Sequence, residues 1–218
     1  MARTELYIIK NDEKKKVDYY GAAEAASMGA MHIWAELEKK YLPSLERYSY
    51  ESDFMVMKNP NEYRSRITQG MIDFLHGGES IMKEVWDLVF KPELEWNDRI
   101  IMESTMDGVY IARKYLREVA EAYRSVEYTN KNMQQQADIM DEIYDKYTDE
   151  DVIGVYILGT SVCSISDMAK YDDGDEEYEF PMMNDDWRDF MTEMYKFREL
   201  GFDMDKYEEW WKEHYNLA

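Results

Sequence analysis

The chain has 218 residues, of which 47 are Asp or Glu and 26 are Lys or Arg, so its formal net charge is −21. This charge disfavours direct binding to nucleic acid or to an acidic membrane surface, because the phosphates of either would be repelled. The content of 45% hydrophobic and 15% aromatic residues favours a packed core over a disordered acidic chain.

The predicted elements begin with a β-hairpin and a helix. Strand-forming residues at 5–9 and 15–20 flank a turn at 11–13. A helix is predicted from about residue 23 to residue 41, because apolar residues recur there at helical spacing and Pro43 follows. Further helices are predicted at 62–74 and 79–90.

The middle of the chain predicts a second hairpin, two helices and a buried strand. The hairpin joins residues 99–104 to residues 109–112 through the turn sequence Met106-Asp107-Gly108. The apolar positions of the two helices are Tyr115, Leu116, Val119, Tyr123 and Val126, and Met133, Ala137, Met140, Tyr144 and Tyr147. Residues 152–158 form a continuous apolar run, which is typical of a strand covered on both faces.

Two helices are predicted near the C-terminus. Asn184 is expected to cap the first, which begins at Asp185-Asp186 and ends at Gly201. Together the elements predict an α+β fold: a single helix-rich domain over residues 1–218, with a small and mostly antiparallel sheet. The sheet would contain the segments 5–9, 15–20, 99–104, 109–112 and 152–158.

The acidic excess is concentrated in the C-terminal half, from about residue 138, where 24 acidic and 7 basic residues occur. Two predicted helices there carry rows of four carboxylates, with each row along one helix face. The rows are Asp138, Asp141, Glu142 and Asp145, and Asp185, Asp186, Asp189 and Glu193. Neighbours in a row lie about 5–6 Å apart, comparable with phosphate spacing. The rows predict either solvated helix faces or a nucleic-acid mimic that enters a basic groove.

An acidic loop between the rows contains Asp172, Asp173, Asp175, Glu176 and Glu177. It does not match an EF-hand calcium loop, because Phe180 stands where the bidentate Glu is required. A weak divalent-cation site stays open as an alternative. So does a metal-dependent enzyme that uses the acidic residues near 172–189.

Catalytic and cofactor motifs are not found in the sequence. The segment Gly159-Thr160-Ser161-Val162-Cys163 follows a predicted strand but lacks the Gly-x-Ser-x-Gly pattern of a nucleophile elbow. The histidines have no metal-ligand spacing. We therefore predict no catalytic residues, no metal and no cofactor.

Trp210 and Trp211 are the best candidates for an aromatic contact surface, because Trp is favoured at interfaces. A helix cannot bury two adjacent Trp on one narrow face, so one of them is expected to be partly exposed. The alternatives are packing in the core and self-association of the chain through aromatic helices. Cys163 is the single cysteine, which favours a reducing compartment. With no signal-peptide pattern or long apolar segment, a cytoplasmic protein is expected.

Three stretches suggest a comparison with known proteins: the opening hairpin followed by residues 29–34 (GAMHIW), the strand-to-helix unit 109–126, and the strand that ends at Gly159 before an acidic tail. Their order resembles that of small proteins encoded by bacteriophages. The acidity is similar to that of phage anti-restriction and anti-CRISPR proteins, many of which imitate nucleic acid. This resemblance implies a protein of the host cytoplasm with no known catalytic residues. Together with the acidic C-terminal half it favours a non-catalytic inhibitor that occupies a basic nucleic-acid-binding site of a host protein. A self-associating structural or assembly protein is an alternative.

Overall fold

The computed structural model of the protein describes residues 4–24, 29–42, 87–106, 108–159, 183 and 187–215. The strands are β1 (Thr4–Lys10), β2 (Val17–Ala23), β3 (Val109–Ala112), β4 (Val152–Gly159) and β5 (Arg188–Asp189). The helices are α1 (Gly29–Tyr41), α2 (Trp96–Glu103), α3 (Leu116–Ser125), α4 (Lys131–Lys146), α5 (Phe190–Glu199) and α6 (Met204–His214). The predicted α+β class is confirmed.

The sheet has the strand order β2-β1-β4-β3-β5. All neighbouring strands are antiparallel except β3 and β5, which are parallel. The predicted β1–β2 hairpin forms, and the apolar run of β4 takes a central position between β1 and β3. Gly154 of β4 lies opposite Ala112, so close to β3 that a β-carbon would overlap the carbonyl of Ile111.

Both faces of the sheet carry buried side chains. On one face, Leu6, Ile8 and Val155 join the main core, to which α3 and α4 contribute their apolar sides. On the other face, Tyr7, Ile9, Val17, Tyr156, Leu158 and Trp187 form a second cluster. The Trp187 ring stacks on Tyr156 with 4.4 Å between ring centroids. The alternation along β1 and β4 follows from the two-residue period of a strand.

The helices α3 and α4 pack against each other, and the apolar positions predicted for them face the core. Leu116, Val119 and Tyr123 of α3 are buried, as are Met133 and Ala137 of α4. Between β3 and α3 the chain makes one 3₁₀ turn, Arg113–Tyr115.

The predicted strand at 99–104 is wrong, because these residues fall in and just after helix α2. Residues 98–102 are all buried, charged and apolar alike. The order of polar and apolar residues in α2 therefore does not mark a buried and an exposed helix face. Asp98 and Arg99 are tolerated inside because other elements supply their hydrogen-bond partners. β3 therefore has no hairpin partner before it and pairs with β4 and β5 instead.

Two other predicted boundaries differ from the structure. Helix α1 begins at Gly29 rather than near residue 23, because β2 continues through Gly21 to Ala23. Residues 88–90, the predicted end of a longer helix, form a 3₁₀ turn. The predicted helix at 62–74 and residues 79–86 lie outside the described residues.

In the described parts of the chain, the helices are too short or too polar to cross a membrane.

The close approach of β4 to β3 predicts that Gly154→Ala destabilises the protein. The new methyl group must displace the backbone of Ile111, and we expect a loss of about 3 kcal/mol in the free energy of unfolding. Gly21→Ala is the matched control, because its methyl group would meet Ile139 at an ordinary 3.6 Å. Chemical denaturation measures both variants, and equal stabilities would contradict the described β3–β4 geometry.

Candidate functional site

Helix α4 carries the first predicted row of carboxylates on its outer face. The Asn130 side chain caps the helix by accepting a hydrogen bond from the Met133 N–H at 3.0 Å. The inner face of α4 is fixed by buried side chains: Met133, Ala137, Met140 and Ile143. The predicted row, Asp138, Asp141, Glu142 and Asp145, lies away from that core, with Asp138 72% and Asp145 65% exposed.

Two arginines of α3 lie beside this row and neutralise part of it. Arg124 forms ion pairs with both Asp138 and Asp141, each at 2.8 Å, and these hydrogen bonds raise the pKa of Arg124. Arg117 pairs with Asp145. The row is therefore not the bare array of charges that the sequence suggested. Because both Arg117 and Asp145 are largely exposed, their ion pair contributes little to stability.

The remaining member of the row, Glu142, connects α4 to the sheet. The Tyr20 hydroxyl of β2 donates a hydrogen bond to the Glu142 carboxylate at 2.6 Å. Burial and this carboxylate together raise the pKa of Tyr20. The Lys146 ammonium lies 4.9 Å from the centre of the Tyr20 ring. Glu142 thus accepts a neutral donor, whereas its three neighbours in the row pair with arginines.

The second predicted row does not form in the described residues. Asp189 is the N-cap of α5, and its carboxylate accepts a hydrogen bond from the Thr192 hydroxyl at 2.6 Å. The helix therefore begins one residue after Asp189 and not at 185, because residues 188–189 pair with β3. Glu193 is directed inward and is only 5% exposed. The other two members of the row, Asp185 and Asp186, lie outside the described residues.

Glu193 instead attaches the C-terminal helix to the rest of the protein. Its carboxylate forms an ion pair with Arg188 at 2.7 Å and accepts a hydrogen bond from the Tyr215 hydroxyl at 2.6 Å. The Tyr207 hydroxyl lies 3.4 Å away. Burial raises the pKa of both tyrosines, and Glu193 raises it further, by its negative charge at Tyr207 and by its hydrogen bond at Tyr215. Helix α6 contains no fully buried residue, so these contacts are an important part of its attachment.

The predicted acidic loop, with Asp172, Asp173, Asp175, Glu176 and Glu177, lies outside the described residues. Within the residues that are described, no group of three or more His, Cys, Asp or Glu side chains is placed to hold a metal ion. The described part of the chain therefore supplies no ligand set for the metal-dependent alternative.

Trp210 and Trp211, the predicted aromatic surface, are both partly buried on α6. Trp211 contacts the Tyr215 ring, with 5.4 Å between centroids. Trp210 lines an open groove of about 540 Å³ together with Tyr115 and Tyr195. The two neighbouring indoles thus have different surroundings, and Trp210 is the one that meets an open groove.

This groove contains residues that the sequence did not single out as a site. The sequence pattern predicts Tyr115 only as part of an apolar helix face, and it gives no role to Tyr195 or Arg198. The two latter residues lie three apart on α5, which places them on one helix face. The spacing of an aromatic and a basic residue on one helix face is the sequence feature that could have indicated this groove.

Glu103, at the end of α2, has a perturbed acidity. Burial raises its pKa to about 7, and the nearby charge of Glu193 adds to the effect, whereas Arg188 and Arg99 oppose it. Glu103 therefore titrates near neutral pH beside the cluster that holds α6.

Comparison of the chain with protein-family models, curated proteins and solved structures finds no significant match.

The raised pKa of Glu103 predicts that Glu103→Gln changes the pH dependence of stability. The native state keeps a proton on Glu103 up to about pH 7, whereas the unfolded chain releases it near the ordinary glutamate pKa of 4.5. Stability from this group is thus present below pH 4.5 and is lost as the pH rises through 7. At pH 8 we expect the free energy of unfolding of the variant to be higher than that of the wild type by up to about 3 kcal/mol.

Urea unfolding of both proteins at pH 5 and at pH 8 measures this effect. Glu121→Gln is the control, because it also removes one carboxylate, but Glu121 is exposed on α3 whereas Glu103 is half-buried at the end of α2. A Glu103→Gln stability difference that is the same at both pH values would contradict the assignment.

Proposed function

We propose that this protein is a non-catalytic binding protein whose acidic α4 face docks onto a basic, nucleic-acid-binding surface of another protein. The observation that carries the proposal is the row Asp138, Asp141, Glu142 and Asp145 on the outside of a helix that is capped and packed against the core. Because the inner face of α4 is fixed, the carboxylates are held in register and lose little backbone freedom on binding.

Further acidic residues extend this face beyond the end of α4. Asp149, Glu150 and Asp151 are all exposed in the turn that leads to β4. Asp149 pairs with Arg113, and the Asp151 carboxylate accepts hydrogen bonds from the Thr148 N–H and hydroxyl. The acidic surface therefore continues from a helix into an ordered turn. Its negative potential would speed the approach of a positively charged partner and help to orient it.

The arginines beside the row set a condition on this function. Arg117 and Arg124 occupy carboxylate oxygens that a partner would need. Exposed ion pairs are weak, so lysines and arginines of a partner would replace them. The proposal is therefore that docking exchanges internal ion pairs for intermolecular ones. It follows that removing the arginines would strengthen binding.

A narrower form of the proposal concerns origin and partner. The protein would be a phage-encoded anti-defence protein, of the anti-restriction or anti-CRISPR kind, that occupies the nucleic-acid site of a host protein. The net charge of −21 and the resemblance in element order support this form.

The α4 face predicts a specific loss of binding when its four carboxylates are neutralised. The test variant is Asp138→Asn, Asp141→Asn, Glu142→Gln and Asp145→Asn. The control has the same change in charge on exposed residues of α6: Asp205→Asn, Glu208→Gln, Glu209→Gln and Glu213→Gln. Each protein is used to capture partners from bacterial lysate at low and high salt, and captured proteins are identified by mass spectrometry.

We expect the wild type and the α6 control to capture the same basic nucleic-acid-binding proteins in a salt-sensitive manner, and the α4 variant to lose them. Adding DNA that the partner binds should compete with the wild type. The double variant Arg117→Gln, Arg124→Gln should bind about tenfold more tightly, since it frees three carboxylates. Equal capture by the α4 variant and the control would reject α4 as the docking face.

A further inference from the structure

A groove lies between the start of α3 and the helices α5 and α6. Unlike the acidic α4 face, it is lined mainly by aromatic and basic side chains. It has a volume of about 540 Å³, within the range of roughly 300–1,000 Å³ that is usual for small-molecule sites. The residues that line it are Tyr115, Thr192, Tyr195, Lys196, Arg198, Glu199 and Trp210. None of them belongs to the acidic α4 face.

The aromatic rings at the groove are held in fixed orientations. Tyr115 and Tyr195 stack with 5.5 Å between centroids and an interplanar angle of 26°. The Trp96 ring lies behind, 5.2 Å from Tyr195. The Glu118 carboxylate accepts hydrogen bonds from the Tyr195 hydroxyl at 2.6 Å and from the Trp96 indole N–H at 3.1 Å. A planar ligand would therefore meet rings whose positions are already fixed, which lowers the entropic cost of stacking.

Two cations at this cluster have no acidic partner. The Arg198 guanidinium lies 4.0 Å from the centre of the Trp96 ring and 4.7 Å from that of Tyr195. The Lys114 ammonium lies 4.6 Å from the centre of Tyr115. Neither forms an ion pair in the part of the chain that the structure describes. In a chain with 47 acidic and 26 basic residues, most cations are expected to be paired.

The geometry of Arg198 suits an anion. A guanidinium carries five N–H donors in one plane, and those that do not contact the rings can donate to two oxygens of a phosphate or carboxylate. The acidic residue that lines the groove, Glu199, is paired with Lys196 at 3.1 Å. Glu118 is occupied by Tyr195 and Trp96. Because its donors are neutral, Glu118 keeps its negative charge, but Lys114, Lys196 and Arg198 outnumber Glu118 and Glu199. The groove is therefore locally basic, in contrast to the net charge of the protein.

We propose that this groove binds a nucleoside phosphate, with its base stacked on the face of Trp210 that does not contact His214, beside the edges of Tyr115 and Tyr195, and its phosphate at Arg198. Bases stack on aromatic side chains and on guanidinium planes, and a phosphate matches the edge of an arginine. This function is independent of the α4 docking face, because the two surfaces share no residue. Either proposal can therefore fail without the other.

The test is a titration of the full-length protein with AMP, GMP, CMP and UMP, followed by tryptophan fluorescence and by calorimetry. The matched ligands are adenosine, which lacks the phosphate, and ribose 5-phosphate, which lacks the base. We expect at least one nucleotide to bind with a dissociation constant below about 1 mM. Adenosine and ribose 5-phosphate should each bind at least about tenfold more weakly. No saturable binding of any of the four nucleotides at about 5 mM would overturn the proposal.

A pair of variants assigns the binding to this groove. Arg198→Gln removes the guanidinium from an exposed position of α5, and Lys212→Gln removes an exposed cation from α6. We expect the first to weaken nucleotide binding about tenfold or more and the second to leave it within about twofold, with both melting temperatures unchanged. Equal affinities of the two variants would overturn the assignment. Binding of a peptide with adjacent acidic and aromatic residues, without binding of any nucleotide, would also overturn it.

Discussion

Two neighbouring side chains of opposite charge, Asp98 and Arg99, lie fully inside the protein, and much of the helical layer is arranged around them. Asp98 accepts hydrogen bonds from Lys40, Tyr41 and Tyr128, which joins α1 and the α3–α4 connection to α2. Arg99 donates to backbone carbonyls between residues 89 and 94 and contacts two phenylalanine rings. Burying each ion costs several kcal/mol without such partners. Burial lowers the pKa of Arg99 to about 10, so it stays charged at neutral pH.

Local patterns predicted much of this fold, and long-range contacts explain the errors. The β1–β2 hairpin, β4 and the apolar faces of α3 and α4 follow from spacing within each segment. At α2, the run Ile100-Ile101-Met102 has strand composition, and the partners that allow Asp98 to be buried come from as far as 58 residues away. The start of α5 depends on the pairing of residues 188–189 with β3, which no local pattern encodes. The α4 row was predictable from helical spacing, but its arginine partners belong to another helix.

Tyrosine hydroxyls donate hydrogen bonds to carboxylates that lysine or arginine side chains would pair with in a less acidic protein. The chain has 19 Tyr beside its excess of Asp and Glu. Carboxylates of Glu118, Glu142 and Glu193 each accept a hydrogen bond of 2.6 Å from a tyrosine, and Asp98 accepts two. A neutral donor satisfies a carboxylate without cancelling its charge. The protein can therefore order its interior and keep an acidic exterior, which is the property that docking through α4 requires. The groove beside α5 follows the same pattern at Glu118, and it adds a cation, Arg198, that contacts aromatic rings and no carboxylate among the described residues.

The central functional claim is that the outer face of α4 is covered when the protein binds its basic partner. Carbodiimide labelling of surface carboxylates, with mass spectrometry of the free protein and of its complex with a captured partner, tests this residue by residue. We expect the labelling of Asp138, Glu142 and Asp145 to fall strongly in the complex and the labelling of Asp205 and Glu213 on α6 to be unchanged. Unaltered labelling along α4 in a stable complex would contradict it.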